Sequence, residues 1–358
     1  MSHNYHRIII KIGSNVFTKS DGLPDIERIG NIVKQIAAIK KQGKEVILVS
    51  SGAVASGRSL ITVSEKYDAI ATRQLLASIG QVKLINTYSH LFEKFGILCS
   101  QVLVTKEDFR DRMHYLNMKT CLDLLLQHEV IPVVNENDVV SVTELMFTDN
   151  DELAGLIASM LNAQALIILT NVDGIYNGDP KLASSEVIDK INGKSLDFSS
   201  FISSGKSQFG RGGMITKSTM AQKVAALGIA VHIANGTKDD VLTDLLQNDV
   251  THTHFLPNKN ASGKKKWLAH SENYATGMVQ VNDGAKTALT SKRATSLLPI
   301  GLVSILSDFK KGDIIKLVDA DEKLIGLGIA EYSADKAREN IGLKNQKPLV
   351  HYDYLYLP

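Results

Sequence analysis

The sequence contains little cysteine, no long apolar run and almost no net charge. Only two of its 358 residues are cysteines, Cys99 and Cys121, and they lack the spacing of metal ligands. This speaks against a disulfide scaffold and favours a reducing compartment. No stretch of about 18 apolar residues occurs and the first residues contain no apolar segment, so we expect a cytoplasmic protein without a membrane span. Lysine and arginine total 40 against 38 acidic residues, so net charge alone predicts no polyanionic partner.

Several catalytic signatures are also missing. The chain has no G-x-x-x-x-G-K-[ST] loop, no G-x-G-x-x-G after a strand, and no Ser/His/Asp or Cys/His nucleophile pattern. Its ten histidines are scattered without H-E-x-x-H spacing, so we expect no metal site built by the protein. Hydride transfer and acyl-enzyme chemistry are therefore poorly supported.

Apolar strands and amphipathic helices alternate from residue 7 to about Pro257. The first strand, Arg7–Ile12, is followed by a helix that Asp25 can cap and that ends at Gly43. Further strands are predicted at 45–49, 97–104, 130–134, 165–169 and 229–233. Because these strands are continuously apolar rather than alternating, they predict an α/β fold with an open, mostly parallel sheet sandwiched by helices.

The composition changes after Pro257. Residues 258–266 are polar and basic without periodicity, which is typical of a linker or an exposed loop. From Thr276 onward, short strands with tight turns such as Asp283-Gly284 predict a small β-rich, barrel-like module. We therefore predict a first domain at 1–258, a linker at 259–275 and a second domain at 276–358.

Polar residues directly follow four of the predicted strands. They are Gly13-Ser14, Ser50-Ser51-Gly52, Asn135-Glu136-Asn137-Asp138 and Thr170-Asn171. Ligands of open α/β sheets bind at the carboxyl ends of the strands, so these clusters are predicted to line one crevice. Loops between strands and helices are polar in any case, which leaves a purely structural explanation open.

A glycine-rich turn precedes a helix predicted at Ser218–Leu227. The turn reads Gly210-Arg211-Gly212-Gly213-Met214-Ile215-Thr216-Lys217. Glycines let the backbone approach a polyanion, and a helix start offers unpaired N–H groups and a positive dipole end. Lys217 adds a full charge, and Lys11 is expected to approach the phosphates from the opposite side. The pattern predicts a nucleoside triphosphate site, although a flexible loop before an ordinary helix has the same local sequence.

Phosphoryl transfer from ATP requires positive charge over the phosphates and an acceptor held in line. Gly13 and Gly52 are expected to leave backbone N–H groups free for the transferred oxygens. Asp151, near two lysines and a triphosphate, is expected to orient both ammonium groups.

Three further polar residues have two explanations each. Asp138 is placed to meet a cationic group such as a substrate amine, but aspartate is also common in turns for backbone reasons. Asp149 and Asn150 open a predicted helix, where capping explains them as well as a functional role does.

Seven motifs occur in an order that is specific to one family. They are KIGSNVF (Lys11–Phe17), VSSGAVASGR (Val49–Arg58), ASIGQ (Ala77–Gln81), VVNENDVV (Val133–Val140), TDNDELA (Thr148–Ala154), LTNVDGIY (Leu169–Tyr176) and GRGGMITK (Gly210–Lys217). On these motifs nearly the whole chain resembles the glutamate 5-kinases of the amino acid kinase family, and the tail resembles the PUA domain that many members carry. The resemblance implies synthesis of L-glutamyl 5-phosphate from ATP and L-glutamate, the first step toward proline.

The resemblance also implies roles for individual residues. Lys11 and Lys217 match the lysines that contact the ATP phosphates, Asp151 the carboxylate that organises them, and Gly13 and Gly52 the backbone donors. The glutamate-binding positions are Ser51, Asp138 and Asn150. The nucleotide-binding positions are Lys11, Thr170, Asn171, Arg211, Gly212, Gly213, Met214, Ile215, Thr216 and Lys217. Many members have aspartate where this chain has Asn171, which removes a charge but keeps a hydrogen-bonding side chain.

ATP is then the co-substrate, and Mg²⁺ is expected to be held mainly by the nucleotide, with no metal ligands from the protein. The family further implies self-association and feedback inhibition by proline, neither of which the residue pattern shows.

Two alternatives remain open at this stage. The first keeps the fold and changes the acceptor to aspartate, N-acetylglutamate or UMP. The second is an RNA-binding protein that acts through the β-rich tail and the basic run Lys264-Lys265-Lys266, although such a run is more often a solvated linker.

Overall fold

The computed structural model describes residues 3–64, 66–140, 147, 149–180, 182, 184–192, 213–258, 261–291 and 295–357. The chain divides into two compact units, Met1–Asn260 and Ala261–Pro358. Among the helices within the described ranges, none combines the length and apolar character that a bilayer crossing requires.

Eight strands of the described residues form the sheet of the first unit. They are β1 (Arg7–Ile12), β2 (Glu45–Ser50), β3 (Cys99–Val104), β4 (Ile131–Glu136), β5 (Ala165–Thr170), β6 (Lys190–Asn192), β7 (Ala230–Asn235) and β8 (Thr253–Leu256). Their order is β3-β4-β2-β1-β5-β7-β8-β6, and all neighbours are parallel except β7 and β8. The predicted mostly parallel α/β sheet is confirmed.

Helices connect these strands. They are α1 (Ser14–Phe17), α2 (Ile26–Lys41), α3 (Ala53–Arg58), α4 (Ala69–Glu93), α5 (Glu107–Arg110), α6 (Arg112–Gln127), α7 (Asn150–Met160), α8 (Met214–Ala226) and α9 (Val241–Gln247). The carboxylate of Asp25 accepts the Arg28 N–H, so the predicted cap of α2 is confirmed. Apolar residues of β1 and β2 pack with α2 and α4 in one buried cluster that includes Ile10, Leu48 and Ile36. Each such side chain contributes about 1.5–3 kcal/mol when fully buried.

Helices α3 and α4 cross with their backbones in contact. A Cβ atom added at Gly80 would lie 1.9 Å from the carbonyl oxygen of Ala53, and one at Gly57 would lie 2.1 Å from that of Leu76. Only glycine at both positions permits this approach, because ordinary van der Waals separations are far longer.

The second unit contains a separate sheet. Its strands are β9 (Gly277–Val281), β10 (Leu302–Ser307), β11 (Ile314–Val318), β12 (Leu324–Ile329) and β13 (Leu355–Tyr356), in the order β10-β9-β11-β12-β13. Three helices accompany the described strands: α10 (Gly263–Ala269), α11 (Asp283–Thr290) and α12 (Ala334–Asn340). Buried side chains of this sheet form the core of the unit, among them Val279, Leu317 and Leu355. The predicted β-rich second region is therefore present.

Two local expectations for this region differ from the structure. Asp283-Gly284 is not a hairpin turn, because the Asn282 side chain accepts the Ala285 N–H and caps α11 at this point. Residues 258–266 are not simply an exposed loop, since α10 begins at Gly263 and Lys266 is only 1% exposed. The apolar residues that follow in α10 explain why this basic stretch is folded.

Candidate active site

A cleft of about 1220 Å³ lies at the carboxyl ends of β1, β2, β4 and β5. All four polar clusters contribute to its lining, with Gly13, Ser14, Ser51, Gly52, Asn135, Glu136, Asp138, Thr170 and Asn171. The chain thus brings together segments separated by more than a hundred residues, as the strand-end rule for α/β sheets predicts.

Two lysines share one buried carboxylate at this cleft. Lys11 Nζ lies 2.6 Å from Asp151 Oδ1, and Lys217 Nζ donates a hydrogen bond of 2.5 Å to Asp151 Oδ2. Lys11 comes from β1, Asp151 from the first turn of α7 and Lys217 from the first turn of α8. The expected meeting of the two lysines at Asp151 is therefore what the structure shows, and the group carries a net positive charge.

Burial and mutual attraction shift the pKa of each of these three groups in opposite directions. Burial opposes ionisation of Asp151, whose side chain is 0% exposed, but the adjacent Lys11 and Lys217 together hold its pKa below the usual value. Burial lowers the pKa of Lys11, an effect that Asp151 only partly offsets. For Lys217 burial also acts downward, but the attraction of Asp151 prevails and the pKa is raised. Lys217 is thus the more firmly charged of the two cations.

At the start of α7, Asp149 caps the helix and Asn150 makes hydrogen bonds within the cleft. Asp149 Oδ1 accepts the N–H groups of Asp151 and Glu152 at 2.9 and 3.1 Å, so Asp149 is the helix cap. Burial, and next the charge of Asp151, raise the pKa of Asp149 to about 6. Asn150 makes no cap and instead donates from Nδ2 to Ser51 Oγ and Asn135 Oδ1, both at 3.0 Å. Asn150 therefore joins two of the strand-end clusters.

An arginine that the sequence did not single out occupies the other end of the cleft. Arg73 of α4 lies 3.2 Å from Glu136 Oε2 and also pairs with Asp138 Oδ1. Burial raises the pKa of Asp138, and Arg73 partly counteracts this. The helical periodicity of the sequence predicts no functional role for Arg73, because a single charged residue within an amphipathic helix is common.

The structure explains the glycines at positions 13 and 52 in different ways. The Gly13 N–H donates to the carbonyl of Leu169 at 3.1 Å, so the expectation of a free donor at Gly13 is not met. A Cβ atom there would lie 3.1 Å from the same carbonyl oxygen, a tight contact, and 3.5 Å from Lys11 Nζ, an ordinary one. Gly52 has φ +117°, and a Cβ atom would lie 2.4 Å from the ring of Phe17. No other residue fits that position.

Some of the residues predicted to bind the nucleotide line the cleft, and others do not. Thr170, Asn171, Gly213, Met214 and Lys217 line the cleft. Ile215 and Thr216 belong to α8 but not to the lining, and Arg211 and Gly212 lie outside the described residues. The helix begins at Met214 rather than at Ser218, with Gly213 as its cap residue. Lys217 therefore projects from the helix itself and not from the preceding turn.

Comparison with known proteins identifies both units. The amino acid kinase family matches residues 6–235, and the PUA domain matches residues 277–351. The chain is 52% identical to a glutamate 5-kinase of Bacteroides thetaiotaomicron, with 100% of each chain covered. It is 50% identical to a glutamate 5-kinase of Chlorobaculum tepidum, covering 100% of this chain and 99% of that one.

A solved structure supports the fold independently of sequence. Carbamate kinase from Giardia lamblia bound to AMP-PNP superposes with a TM-score of 0.52 at 18% identity, over 71% of this chain and 99% of that chain. At this identity the likeness concerns the fold alone. With the family match and the two full-length relatives, the conclusion is that this chain belongs to the amino acid kinase family, among its glutamate 5-kinases with a C-terminal PUA domain.

Proposed function

We propose that the chain transfers the γ-phosphoryl group of ATP to the γ-carboxylate of L-glutamate, forming L-glutamyl 5-phosphate for proline biosynthesis. The observation that carries this proposal is that Lys11 and Lys217 both line the cleft and share the buried carboxylate of Asp151. The relatives, which are glutamate 5-kinases over their full length, supply the identity of the acceptor.

In the proposed reaction a carboxylate oxygen of glutamate attacks the γ-phosphorus in line, and the bond from this phosphorus to the β–γ bridging oxygen breaks. The leaving ADP keeps the electron pair. No general base is needed, because the attacking carboxylate is already ionised at neutral pH. Charge is the main obstacle, since two anions 4 Å apart repel by about 4 kcal/mol at an effective dielectric constant near 20.

The two lysines act on that obstacle. Lys11 and Lys217 are fixed cations, so they stabilise charge on the transferred phosphoryl group without reorganising during the reaction. Asp151 is a positioning residue, because both its oxygens contact the lysines and it does not line the cleft. Thr170, Asn171, Gly213 and Met214 would contact the nucleotide.

The donor set fits a nucleotide-bound Mg²⁺. Asp149 Oδ2 is a buried carboxylate oxygen without a hydrogen-bond partner among the described residues. Glu136 and Asp138 are paired with Arg73. A single hard oxygen from Asp149 agrees with an ion held mainly by phosphates and water. When bound, the ion would neutralise part of the phosphate charge.

The acceptor end has complementary charges for an amino acid. We propose that Asp138 binds the α-ammonium group of glutamate and that Arg73 binds its α-carboxylate, which replaces part of their mutual ion pair. Ser51 and Asn150, already joined by a hydrogen bond, would orient the γ-carboxylate. An N-acetylated acceptor lacks the ammonium group and would bring a neutral amide, instead of a cation, to the Asp138 carboxylate.

The acceptor is tested by measuring ADP release with L-glutamate, L-aspartate, N-acetyl-L-glutamate and UMP, with hydroxylamine present to trap an acyl phosphate. We expect ADP and a hydroxamate with L-glutamate, and a rate at least about 100-fold lower with the acetylated acid, because its neutral amide offers the Asp138 carboxylate no positive charge. Equal rates with another acceptor would reject the assignment.

Replacing Arg73 by glutamine is expected to raise the KM for glutamate by about 10- to 100-fold, because a charge-assisted contact is worth roughly 1.5–3 kcal/mol. The KM for ATP should change little. Steady-state kinetics with each substrate varied in turn separates the two effects. The control is Arg338→Gln, which removes an exposed arginine ion pair in the second unit and should leave both constants unchanged. An effect on ATP alone would contradict the proposed role.

Inhibition by proline and self-association remain proposals from the resemblance, and RNA binding remains a proposal from the β-rich tail at 276–358 and the basic run Lys264-Lys265-Lys266. For the last of these, the structure offers a qualification: within the basic run, Lys266 is buried and Lys264 Nζ lies 4.1 Å from the centre of the Tyr354 ring.

A further inference from the structure

Four histidines from distant parts of the chain meet in the first unit. His232 of β7 and His254 of β8 face each other in the antiparallel register, and their rings stack with centroids 4.1 Å apart. His252 directly precedes β8, with its ring centroid 5.1 Å from that of His232. His3 lies in the N-terminal segment, 4.9 Å from His232 between centroids. None of the four lines the cleft described above.

The ring nitrogens of this group are only partly hydrogen-bonded. His252 Nδ1 lies 2.8 Å from the carbonyl oxygen of Val250, which can only accept, so Nδ1 carries the proton and Nε2 presents a lone pair. The Tyr5 hydroxyl lies 3.0 Å from His232 Nε2 and 3.3 Å from His3 Nδ1.

Each ring retains one buried nitrogen without a hydrogen-bond partner in the described part of the chain. These atoms are His3 Nε2, His232 Nδ1, His252 Nε2 and His254 Nε2. Leaving a buried polar atom unpaired costs about 1–3 kcal/mol, so several together call for an explanation. His232 and His252 are almost completely inaccessible, with exposures of 0% and 3%.

The environment of His232, His254 and His3 lowers the pKa of these three rings. Burial, and then the neighbouring imidazoles, place the pKa of His232 well below its ordinary value. Burial is also the leading cause that lowers the pKa of His254 to about 4 and that of His3 below its usual value, although the Asn248 side chain acts upward on His3. Neutral imidazole is the form that binds transition metals.

We propose that His3, His232 and His252 form a binding site for a divalent transition-metal ion of the Zn²⁺ type. One ring nitrogen from each residue lies within 4.8 Å of the other two. Zinc–nitrogen bonds of about 2.0–2.1 Å in a tetrahedral arrangement place such nitrogens about 3.4 Å apart, so a small inward movement of the rings suffices.

The hydrogen bonds around the cluster match this use. A metal-bound histidine ordinarily donates its other N–H group to a carbonyl or a similar partner, which fixes the tautomer, and His252 does so to Val250. The three candidate ligands are imidazole nitrogens, which suits Zn²⁺ rather than Mg²⁺ or Ca²⁺. The bound ion would fasten the N-terminal segment to β7 and to the start of β8. This site is separate from phosphoryl transfer and does not depend on it.

The test uses the full-length chain, stripped with a chelator, dialysed and titrated with Zn²⁺ by calorimetry in the absence of nucleotide. We expect one tightly bound Zn²⁺ ion per chain. When Co²⁺ replaces Zn²⁺, we expect the absorption spectrum of a tetrahedral site. His252→Ala removes a proposed ligand. It should therefore weaken Zn²⁺ binding by more than the roughly 10- to 100-fold loss caused by removing a residue that only hydrogen-bonds to a metal ligand. His3→Ala should do the same, and its half-buried position near the terminus makes unfolding a minor risk.

The matched control is His114→Ala, which removes a histidine with a side chain that is 62% exposed, outside the cluster. It should bind the ion as the unaltered chain does. Chelation should lower the Tm of the unaltered chain and of His114→Ala but not that of His3→Ala, because ligand binding to the folded state raises its stability. Absence of a stoichiometric ion in the unaltered chain, or unchanged affinity in His3→Ala, would overturn the proposal whatever the kinase activity.

Discussion

Replacing Lys217 by methionine is expected to lower kcat by about 10²–10³-fold, the range for loss of one preorganised charge-stabilising donor. Methionine keeps much of the side-chain length and removes the ammonium group. The KM for glutamate should change far less, because Lys217 stabilises the transferred phosphoryl group and not the acceptor. Steady-state ADP release, with glutamate and ATP varied separately, measures both quantities.

The control for this substitution is Lys119→Met, which removes a lysine that is ion-paired with Asp123 on α6, outside the cleft. It should retain the kcat of the unaltered chain. An unaltered kcat in Lys217→Met, or an effect confined to the KM for glutamate, would remove Lys217 from the proposed mechanism.

Replacing Asp151 by asparagine is expected to destabilise the fold and to abolish most of the turnover. The change removes the carboxylate charge that contacts both Lys11 and Lys217, and breaking a buried ion pair in this way costs about 3–5 kcal/mol. Urea unfolding measures the stability loss, and ADP release measures turnover. Adding Lys11→Met should recover part of the stability but none of the activity, because it removes a buried charge that catalysis requires.

The neighbouring carboxylate provides the comparison. Asp149→Asn keeps a side chain that can cap α7 but removes a charge whose pKa is raised from 3.8 to about 6. A carboxyl group with a folded pKa above its unfolded value lowers stability as the pH rises through that window. At neutral pH Asp149→Asn should therefore not share the destabilisation of Asp151→Asn. Equal losses in both variants would contradict the lysine pairing as the reason for the destabilisation in Asp151→Asn.

The sequence predicted the parallel sheet and the cleft because both follow from local order. Continuous apolar strands, followed at once by polar residues, predict where the strand ends meet, and the structure places Ser51, Asn135 and Thr170 there. The pairing of Lys11 and Lys217 with Asp151 followed from the same rule, since each residue lies near the end of a strand or the start of a helix. The roles of these residues in catalysis remain predictions.

What the sequence did not reveal depends on contacts between distant segments. Arg73 is one charged residue on a long helix, and only the crossing of α4 over the sheet brings it to Asp138. The sequence predicts a free Gly13 N–H. The Leu169 carbonyl oxygen that accepts it is brought there only by the pairing of β1 with β5. The scattered histidines predict no metal site from spacing alone, and only the antiparallel pairing of β7 and β8 in the described fold brings His232 beside His254.

The backbone contact between α3 and α4 has a consequence for selectivity. Ser51 directly precedes Gly52, the cap residue of α3, and Arg73 belongs to α4, so the crossing at Gly57 and Gly80 sets the separation of two proposed acceptor contacts. The span that a bound amino acid must fill therefore depends in part on this main-chain contact. A methyl group at either glycine would alter which chain length of dicarboxylic acid fits, without touching any atom of the substrate.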